Sequence, residues 1–198
     1  LDTLTPEQFA DGCGEVVKHA VIADPELFAE LEKTPLTLEL LNRDVARVAL
    51  IIARNIDIKR AVVVADERET NQRKLLNFGH SAGHAVEACE HFELGHGNCV
   101  SIGMGIITRA AALHGICDAE LPDRIEELCA RHGLKTRCEL SADAVFAEAL
   151  HDKKRAGDTI DLVIPHDIGR CSIDRTPLST FHELIAEGLG QKGDASAC

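Results

Sequence analysis

The sequence contains no tryptophan and no tyrosine, and only six phenylalanines among its 198 residues. A core without large aromatic side chains must be packed from leucine, isoleucine, valine and alanine, a composition that favours helices. The hydrophobic content of 45% is sufficient for one full core, which fits one large domain better than two small ones. We expect a mainly α protein, a helical bundle-like domain with one small β-hairpin near the C-terminus.

The sequence also lacks a long apolar run and a basic patch. No apolar segment has the roughly 20 residues that a membrane-spanning helix needs. The formal net charge of -12 would repel the phosphates of nucleic acids and of anionic membranes. We therefore expect neither a nucleic-acid partner nor a membrane partner.

Paired cysteine spacing and a signal peptide are missing as well. The eight cysteines are scattered, and most lie among apolar residues of predicted helices. Such cysteines are typical of small buried side chains in a reducing compartment. We expect free thiols and a cytoplasmic protein.

The chain begins at Leu1 without an initiator methionine, immediately before a predicted helix. It has no glycine-rich dinucleotide loop after a strand, which an NAD-binding domain would need. We expect a fragment in which residues 1–189 form one domain and residues 190–198 a flexible tail.

Helical spacing of apolar residues, together with capping residues and breakers, predicts most of the chain as helix. The last helix is preceded by two alternating segments that predict a hairpin. The predicted helices span residues 6–23, 25–33, 38–64, 71–89, 99–114, 121–132, 141–151 and 178–189, and the predicted strands span 159–165 and 171–174.

Three histidines indicate a candidate metal site. His80 and His84 are one helical turn apart, so both imidazoles could reach one Zn²⁺ ion. His96 lies in a predicted glycine-flanked loop that could fold back over that helix. Glu15 is a possible carboxylate ligand because it interrupts an otherwise apolar helix, although it could equally be a solvated acid.

Cationic and amide side chains near these positions are typical of a site for an anionic substrate. On the predicted helix, four-residue steps would place Arg73 and Asn77 on one side with His84, and His80 one step aside. Any one of the cations could instead be ordinary solvated surface. The candidates are Lys18, Lys59, Arg73, Asn77, Lys153 and Lys154.

Four motifs together resemble the 3-dehydroquinate synthase family, over residues 1–189. They read G-x-x-E-V-V-K, D-E-R-E-T-x-x-R-x-L-L-N-F-G-H-S-x-G-H-A-V-E, H-G-N-x-V-x-x-G-M and D-K-K-x-x-G. Glu69 belongs to the second motif. One departure is Asn98, where the family usually has glutamate after His-Gly.

The resemblance implies a two-domain, homodimeric enzyme whose N-terminal domain binds NAD and whose helical C-terminal domain binds Zn²⁺ or Co²⁺. It implies that Glu15, His80 and His96 ligate the metal, whereas His84 contacts the substrate phosphate. It also implies that the remaining polar candidates hold the substrate's carboxylate, hydroxyls and phosphate: Lys18, Lys59, Arg73, Asn77, Lys153 and Lys154.

The implied reaction is a lyase step of the shikimate pathway, which leads to aromatic amino acids. Transient oxidation by NAD would acidify a C–H bond of 3-deoxy-D-arabino-heptulosonate 7-phosphate, so that phosphate is eliminated and 3-dehydroquinate forms. We expect the isolated domain to be inactive. The alternatives are another sugar phosphate cyclase, a metal-dependent polyol dehydrogenase-like domain and a non-catalytic metal-binding relic.

Overall fold

The computed structural model describes residues 3–66, 72–151 and 155–191, and within these ranges the protein is mainly helical, as predicted. Glu69, Lys153, Lys154 and residues 192–198 of the expected tail lie outside the described residues. The α-helices are α1 (Pro6–Ala23), α2 (Pro25–Lys33), α3 (Leu38–Arg43), α4 (Val45–Ala65), α5 (His80–Cys89), α6 (His96–Leu113), α7 (Leu121–Arg131), α8 (Ala142–Ala149) and α9 (Leu178–Gly188).

The first two helices have the bounds that their capping residues predict. Thr5 and Gln8 form a capping box at the start of α1, where the Gln8 amide N–H donates to Thr5 Oγ1 at 3.2 Å. Asp24 accepts a hydrogen bond from the Leu27 N–H and so begins α2. These local signals fix the direction of α1, which carries Glu15 and Lys18.

The single helix predicted for residues 38–64 is wrong, because the chain breaks at Asp44. The carboxylate of Asp44 accepts a hydrogen bond from the Arg47 N–H at 3.0 Å and caps the start of α4. The break separates α3 from α4, and the buried Asn55 of α4 has its side-chain oxygen 2.9 Å from His19 Nδ1 of α1.

The helix predicted for residues 71–89 is also wrong in its first half. Gln72–Asn77 form a 3₁₀ helix, and Gly79 then adopts the left-handed conformation with φ of 75° before α5 begins at His80. Arg73 and Asn77 therefore do not share a continuous α-helix with His80 and His84, and four-residue steps do not predict which side of α5 they lie on.

Helix α6 lies at the centre of the core. Most of its residues are buried, and it packs against α1, α5, α7 and α9. The predicted hairpin is confirmed by β2 (Thr159–Asp167) and β3 (Arg170–Pro177), which pair antiparallel, and a two-residue strand β1 (Arg155–Ala156) adds a third member on the other side of β2.

All seven cysteines in the described part of the chain are free, and four of them are buried. Across residues 3–66, 72–151 and 155–191, no helix combines the length and apolar character needed to cross a bilayer.

Candidate metal centre and adjoining cavity

A close approach of α1 and α6 brings Glu15 near His96. The two helices meet at Gly14 and Gly97, where a Cβ on Gly14 would lie 2.6 Å from the Gly97 carbonyl oxygen and a Cβ on Gly97 would overlap with the Asp11 carbonyl oxygen. Only glycine permits this contact between backbones. His96 is the first residue of α6. The sequence had indicated instead that His96 lies in a loop before that helix.

Three imidazole rings form a triangle beside this contact. The ring centroids of His80, His84 and His96 are separated by 5.2, 5.3 and 5.7 Å. One nitrogen of each ring lies within 4.8 Å of the others, so the three residues could share a metal ion.

Glu15 offers a carboxylate oxygen to two of these rings. Its Oε1 atom lies 3.5 Å from His80 Nε2 and 3.9 Å from His96 Nε2. The same atom is buried and has no hydrogen-bond partner, whereas Oε2 accepts a hydrogen bond of 2.8 Å from the buried Lys18 ammonium. A buried unpaired carboxylate oxygen is costly, and a cation between these three atoms would remove that cost.

The contacts of the two Nδ1 atoms explain why Nε2 faces the centre in both His80 and His96. His80 Nδ1 lies 3.1 Å from the Phe78 carbonyl oxygen and His96 Nδ1 lies 3.3 Å from Glu87 Oε2. Since both partners are acceptors, each Nδ1 carries the proton and each Nε2 presents a lone pair. A carboxylate or carbonyl behind the imidazole is typical of zinc ligands.

The spacing of the three atoms also suits a metal. Two ligand atoms, each about 2.1 Å from one zinc ion at a tetrahedral angle, are about 3.4 Å apart. The distances of 3.5 and 3.9 Å are close to this value. The site therefore has donors that fit Zn²⁺ or an ion of similar preference, either from Glu15, His80 and His96 or from the three histidines.

Electrostatics hold Glu15 and His80 in the charge states that a metal requires. Burial acts to raise the pKa of Glu15, but the Lys18 ammonium, with smaller contributions from His80 and His19, outweighs burial and leaves the pKa lowered. Burial, followed by repulsion from Lys18, lowers the pKa of His80 to about 3. An ionised carboxylate thus faces a neutral imidazole.

A cavity of about 210 Å³ opens next to this centre. It brings together most of the predicted substrate residues, while His84 is not among its lining residues and lies beside His80 and His96 instead. Its lining combines cationic side chains with two of the metal-ligand candidates, Glu15 and His80. The lining residues are Glu15, Lys18, His19, Lys59, Arg73, Leu76, Asn77 and His80.

Sequence reasoning missed three residues around the centre and its cavity. Glu87 holds His96, and the Asp11 carboxylate accepts hydrogen bonds from both the backbone and the side-chain amide of Asn98, at 3.0 and 3.2 Å. His19, next to Lys18, lines the cavity and is buried. Glu87 lies within one quoted motif, and Asp11 and His19 flank another, but spacing gives no sign of which partner each side chain meets.

The fold and this site define a class: a helical domain in which carboxylate and imidazole groups that could hold a metal lie beside a cationic cavity. The family model described as 3-dehydroquinate synthase C-terminal matches residues 12–155. The chain belongs to this family.

Curated relatives agree with this assignment. The chain is 36% identical over 187 residues to 3-dehydroquinate synthase of Streptococcus suis, which covers 93% of this chain and 52% of the relative. It is 37% identical over 179 residues to 3-dehydroquinate synthase of Acetivibrio thermocellus, covering 88% of this chain and 49% of the relative. The chain thus spans about half the length of the curated relatives it matches.

Solved structures share the fold. A 2-epi-5-epi-valiolone synthase from Streptomyces hygroscopicus, with NAD⁺ and Zn²⁺ bound, matches with a TM-score of 0.81 and 22% identity, over 95% of this chain and 52% of that one. A 2-deoxy-scyllo-inosose synthase complexed with carbaglucose-6-phosphate, NAD⁺ and Co²⁺ matches with a TM-score of 0.76 and 21% identity, over 96% of this chain and 55% of that one.

Proposed function

We propose that the chain is the metal- and substrate-binding domain of a 3-dehydroquinate synthase, a phosphate-eliminating lyase of the shikimate pathway that acts in the cytoplasm. In this proposal it acts on 3-deoxy-D-arabino-heptulosonate 7-phosphate together with an N-terminal NAD-binding domain, within a homodimer. The observation that carries the proposal is the buried, unpaired Glu15 Oε1 atom facing two Nε2 lone pairs beside a cationic cavity.

Glu15, His80 and His96 would hold Zn²⁺ or Co²⁺, because these oxygen and nitrogen donors converge with ligand-like spacing. When bound, the metal supplies a fixed positive charge that stabilises an oxygen carrying negative charge during substrate oxidation. Lys18 keeps the Glu15 carboxylate ionised and oriented through its hydrogen bond to Oε2.

Lys18, Lys59 and Arg73 would bind the anionic groups of the substrate, and Asn77 would orient a hydroxyl, since these side chains line one cavity. His84, beside His80 and His96, would contact the phosphate. Lys153 and Lys154 remain proposed phosphate contacts from the motif D-K-K-x-x-G alone.

A cationic cavity favours a phosphorylated acid over the neutral polyol of a dehydrogenase. Curated 3-dehydroquinate synthases that are 32–37% identical to the chain support this reaction over that of another sugar phosphate cyclase. Because NAD would be bound by another domain, the isolated chain should release no phosphate from the substrate even with NAD and Zn²⁺ added. Phosphate release at enzyme-like rates would contradict this part of the proposal.

Zinc content of purified variants tests the ligand assignment. The wild-type chain should hold about one zinc ion, and Glu15→Ala, His80→Ala or His96→Ala should each lose it. His84→Ala should keep zinc but bind the sugar phosphate more weakly. His182→Ala is the matched control, because His182 lies on α9 and pairs with Asp143.

The alternative ligand set makes the opposite prediction. If His84 rather than Glu15 completes the site, zinc is lost in His84→Ala and kept in Glu15→Ala. That result would overturn the proposed assignment, and a wild-type chain that binds no zinc would overturn the metal centre altogether.

A further inference from the structure

His19 is a buried histidine whose role the proposed function does not explain. It lies on α1 directly after Lys18 and is only 5% exposed. Among the described residues, the buried side-chain atoms without a hydrogen-bond partner are Glu15 Oε1 and His19 Nε2. The metal centre accounts for the first of these atoms, so the second requires its own ligand.

The hydrogen bonds of Asn55 determine which nitrogen of His19 carries the proton. The Ile51 carbonyl oxygen can only accept, so the Asn55 amide nitrogen, 2.9 Å away, donates to it. The amide oxygen of Asn55 therefore faces His19 Nδ1, at 2.9 Å, and accepts a hydrogen bond from it. This network places the proton on Nδ1 and leaves a lone pair on Nε2.

The surroundings keep this ring neutral. Burial and repulsion from the Lys18 ammonium lower the pKa of His19, and Lys59 acts in the same direction, while Asn55 and Glu15 act against it. Nε2 lies 4.0 Å from Glu15 Oε2, an oxygen already engaged by Lys18. His19 thus presents a fixed hydrogen-bond acceptor and not a cation.

The cationic groups of the cavity differ from His19, because they can only donate hydrogen bonds. Lys18, Lys59 and Arg73 are donors without acceptor capacity, suited to phosphate and carboxylate oxygens. A sulfate dianion supplies acceptors for these cations but no donor for His19 Nε2. A ligand that carries both an anionic group and hydroxyl groups satisfies both requirements.

We infer that His19 accepts a hydrogen bond from a hydroxyl group of the bound sugar phosphate and so makes the cavity selective for a polyhydroxylated phosphate over an anion without hydroxyl groups, such as sulfate. This inference rests on the proposed function and adds a specificity-determining residue to it. The Asn55 side chain is the positioning residue, since it fixes the tautomer through the Ile51 carbonyl group.

Calorimetric titration of the 198-residue chain tests the inference with two probes, 3-deoxy-D-arabino-heptulosonate 7-phosphate and sulfate. His19→Phe removes the acceptor and should weaken binding of the sugar phosphate about tenfold, while the affinity for sulfate stays unchanged. His19→Gln places an amide oxygen near the Nε2 position and should recover much of the loss. His182→Phe, the same substitution at a site outside the cavity, should change neither affinity.

Two results separate this inference from the proposed function. If the wild-type chain binds no sugar phosphate, both fail. If the wild-type chain binds it and His19→Phe binds it equally well, or loses affinity for both probes alike, only the role of His19 is overturned.

A measurement on the wild-type chain covers the case in which His19→Phe does not fold. The ¹⁵N NMR shifts of the His19 ring should report a proton on Nδ1 and an unprotonated Nε2, and the Nε2 signal should move when the sugar phosphate binds but not when sulfate binds. A proton on Nε2, or an equal response to both probes, would overturn the inference.

Discussion

The position of His96 depends on a network at the first turn of α6. Asp11 of α1 accepts hydrogen bonds from the backbone and side-chain amides of Asn98. The Asn98 side-chain oxygen accepts in turn from the Lys135 N–H at 2.9 Å. Asn98 therefore uses both ends of its amide to hold the helix start, two residues from a proposed metal ligand.

Replacing Asn98 with aspartate should weaken zinc binding. The new carboxylate would face the Asp11 carboxylate across the present 3.2 Å contact, and repulsion would displace the helix start that carries His96. Loss of such an orienting contact typically lowers metal affinity by about 10- to 100-fold. Competition with a chromophoric chelator measures the change.

Asn42→Asp is the control for this prediction. It adds the same charge at an exposed position at the end of α3 and should leave the zinc affinity unchanged. Equal zinc affinity in Asn98→Asp and in the wild-type chain would show that the network does not position His96.

The residues of the candidate site were identifiable from the sequence, but their partners were not. Spacing alone would have paired His80 with His84 as ligands, and only the family resemblance separates their roles. The rings of all three histidines lie within 5.7 Å of each other, so helical spacing does not single out one ligand set. The acceptors that face Nδ1, Glu87 for His96 and the Phe78 carbonyl for His80, are also not given by helical spacing.

At the scale of secondary structure, glycines set the distance between α5 and α6. A Cβ on Gly103 of α6 would overlap with the Gly79 carbonyl oxygen and lie 2.8 Å from the Gly83 nitrogen. All of these obstacles are backbone atoms, which cannot rotate away as a side chain can. This contact holds the histidines of α5 close to His96.

Gly103→Ala should therefore destabilise the fold by at least about 2 kcal/mol, since the two helices must separate to admit one methyl group. Gly12→Ala is the matched control, because a Cβ there meets nothing within 4 Å and Gly12 is exposed on α1. Alanine at position 12 should stabilise the helix by about 0.5–1 kcal/mol. Urea unfolding measures both, and an unchanged midpoint for Gly103→Ala would contradict the packing argument.

Most helices and the hairpin were predictable because their periodicity and caps agree, as in α1 and α2. The two wrong helices share one cause: apolar spacing continues across a break that a single residue makes. Asp44 ends one helix and caps the next, and Gly79 adopts a left-handed conformation. Even so, Arg73, Asn77 and His80 line one cavity, because the 3₁₀ segment and Gly79 direct them there without a continuous helix.

At the scale of the whole molecule, the cationic cavity is unusual in a chain of net charge -12. Acidic residues neutralise many cations elsewhere, for example Arg54 by Asp24 and Lys74 by Asp161. At the cavity, three cationic lining residues, Lys18, Lys59 and Arg73, stand against the carboxylate of Glu15, which pairs with Lys18, so the lining residues carry an excess of positive charge. The overall charge then disfavours anionic polymers while the cavity favours a small anion.

The candidate metal centre connects three helices that are distant in sequence, so metal binding and folding should be coupled. Glu15 lies on α1, His80 on α5 and His96 on α6, and the donor atoms of these three side chains converge only in the folded chain. An ion that binds the folded state alone stabilises it by about 2.7 kcal/mol at 100 times its dissociation constant. Urea unfolding at rising Zn²⁺ concentration should show this gain, and a chelator should reverse it.

Glu15→Gln distinguishes this centre from other zinc-binding groups of the chain. The amide keeps the shape of the side chain but removes the charge that balances the ion, so the stabilisation by Zn²⁺ should largely disappear. The free cysteines provide the alternative, because zinc bound by thiolates would stabilise wild type and variant alike. An equal shift in both would therefore place the metal away from Glu15, whereas a shift confined to wild type couples the fold to the proposed centre.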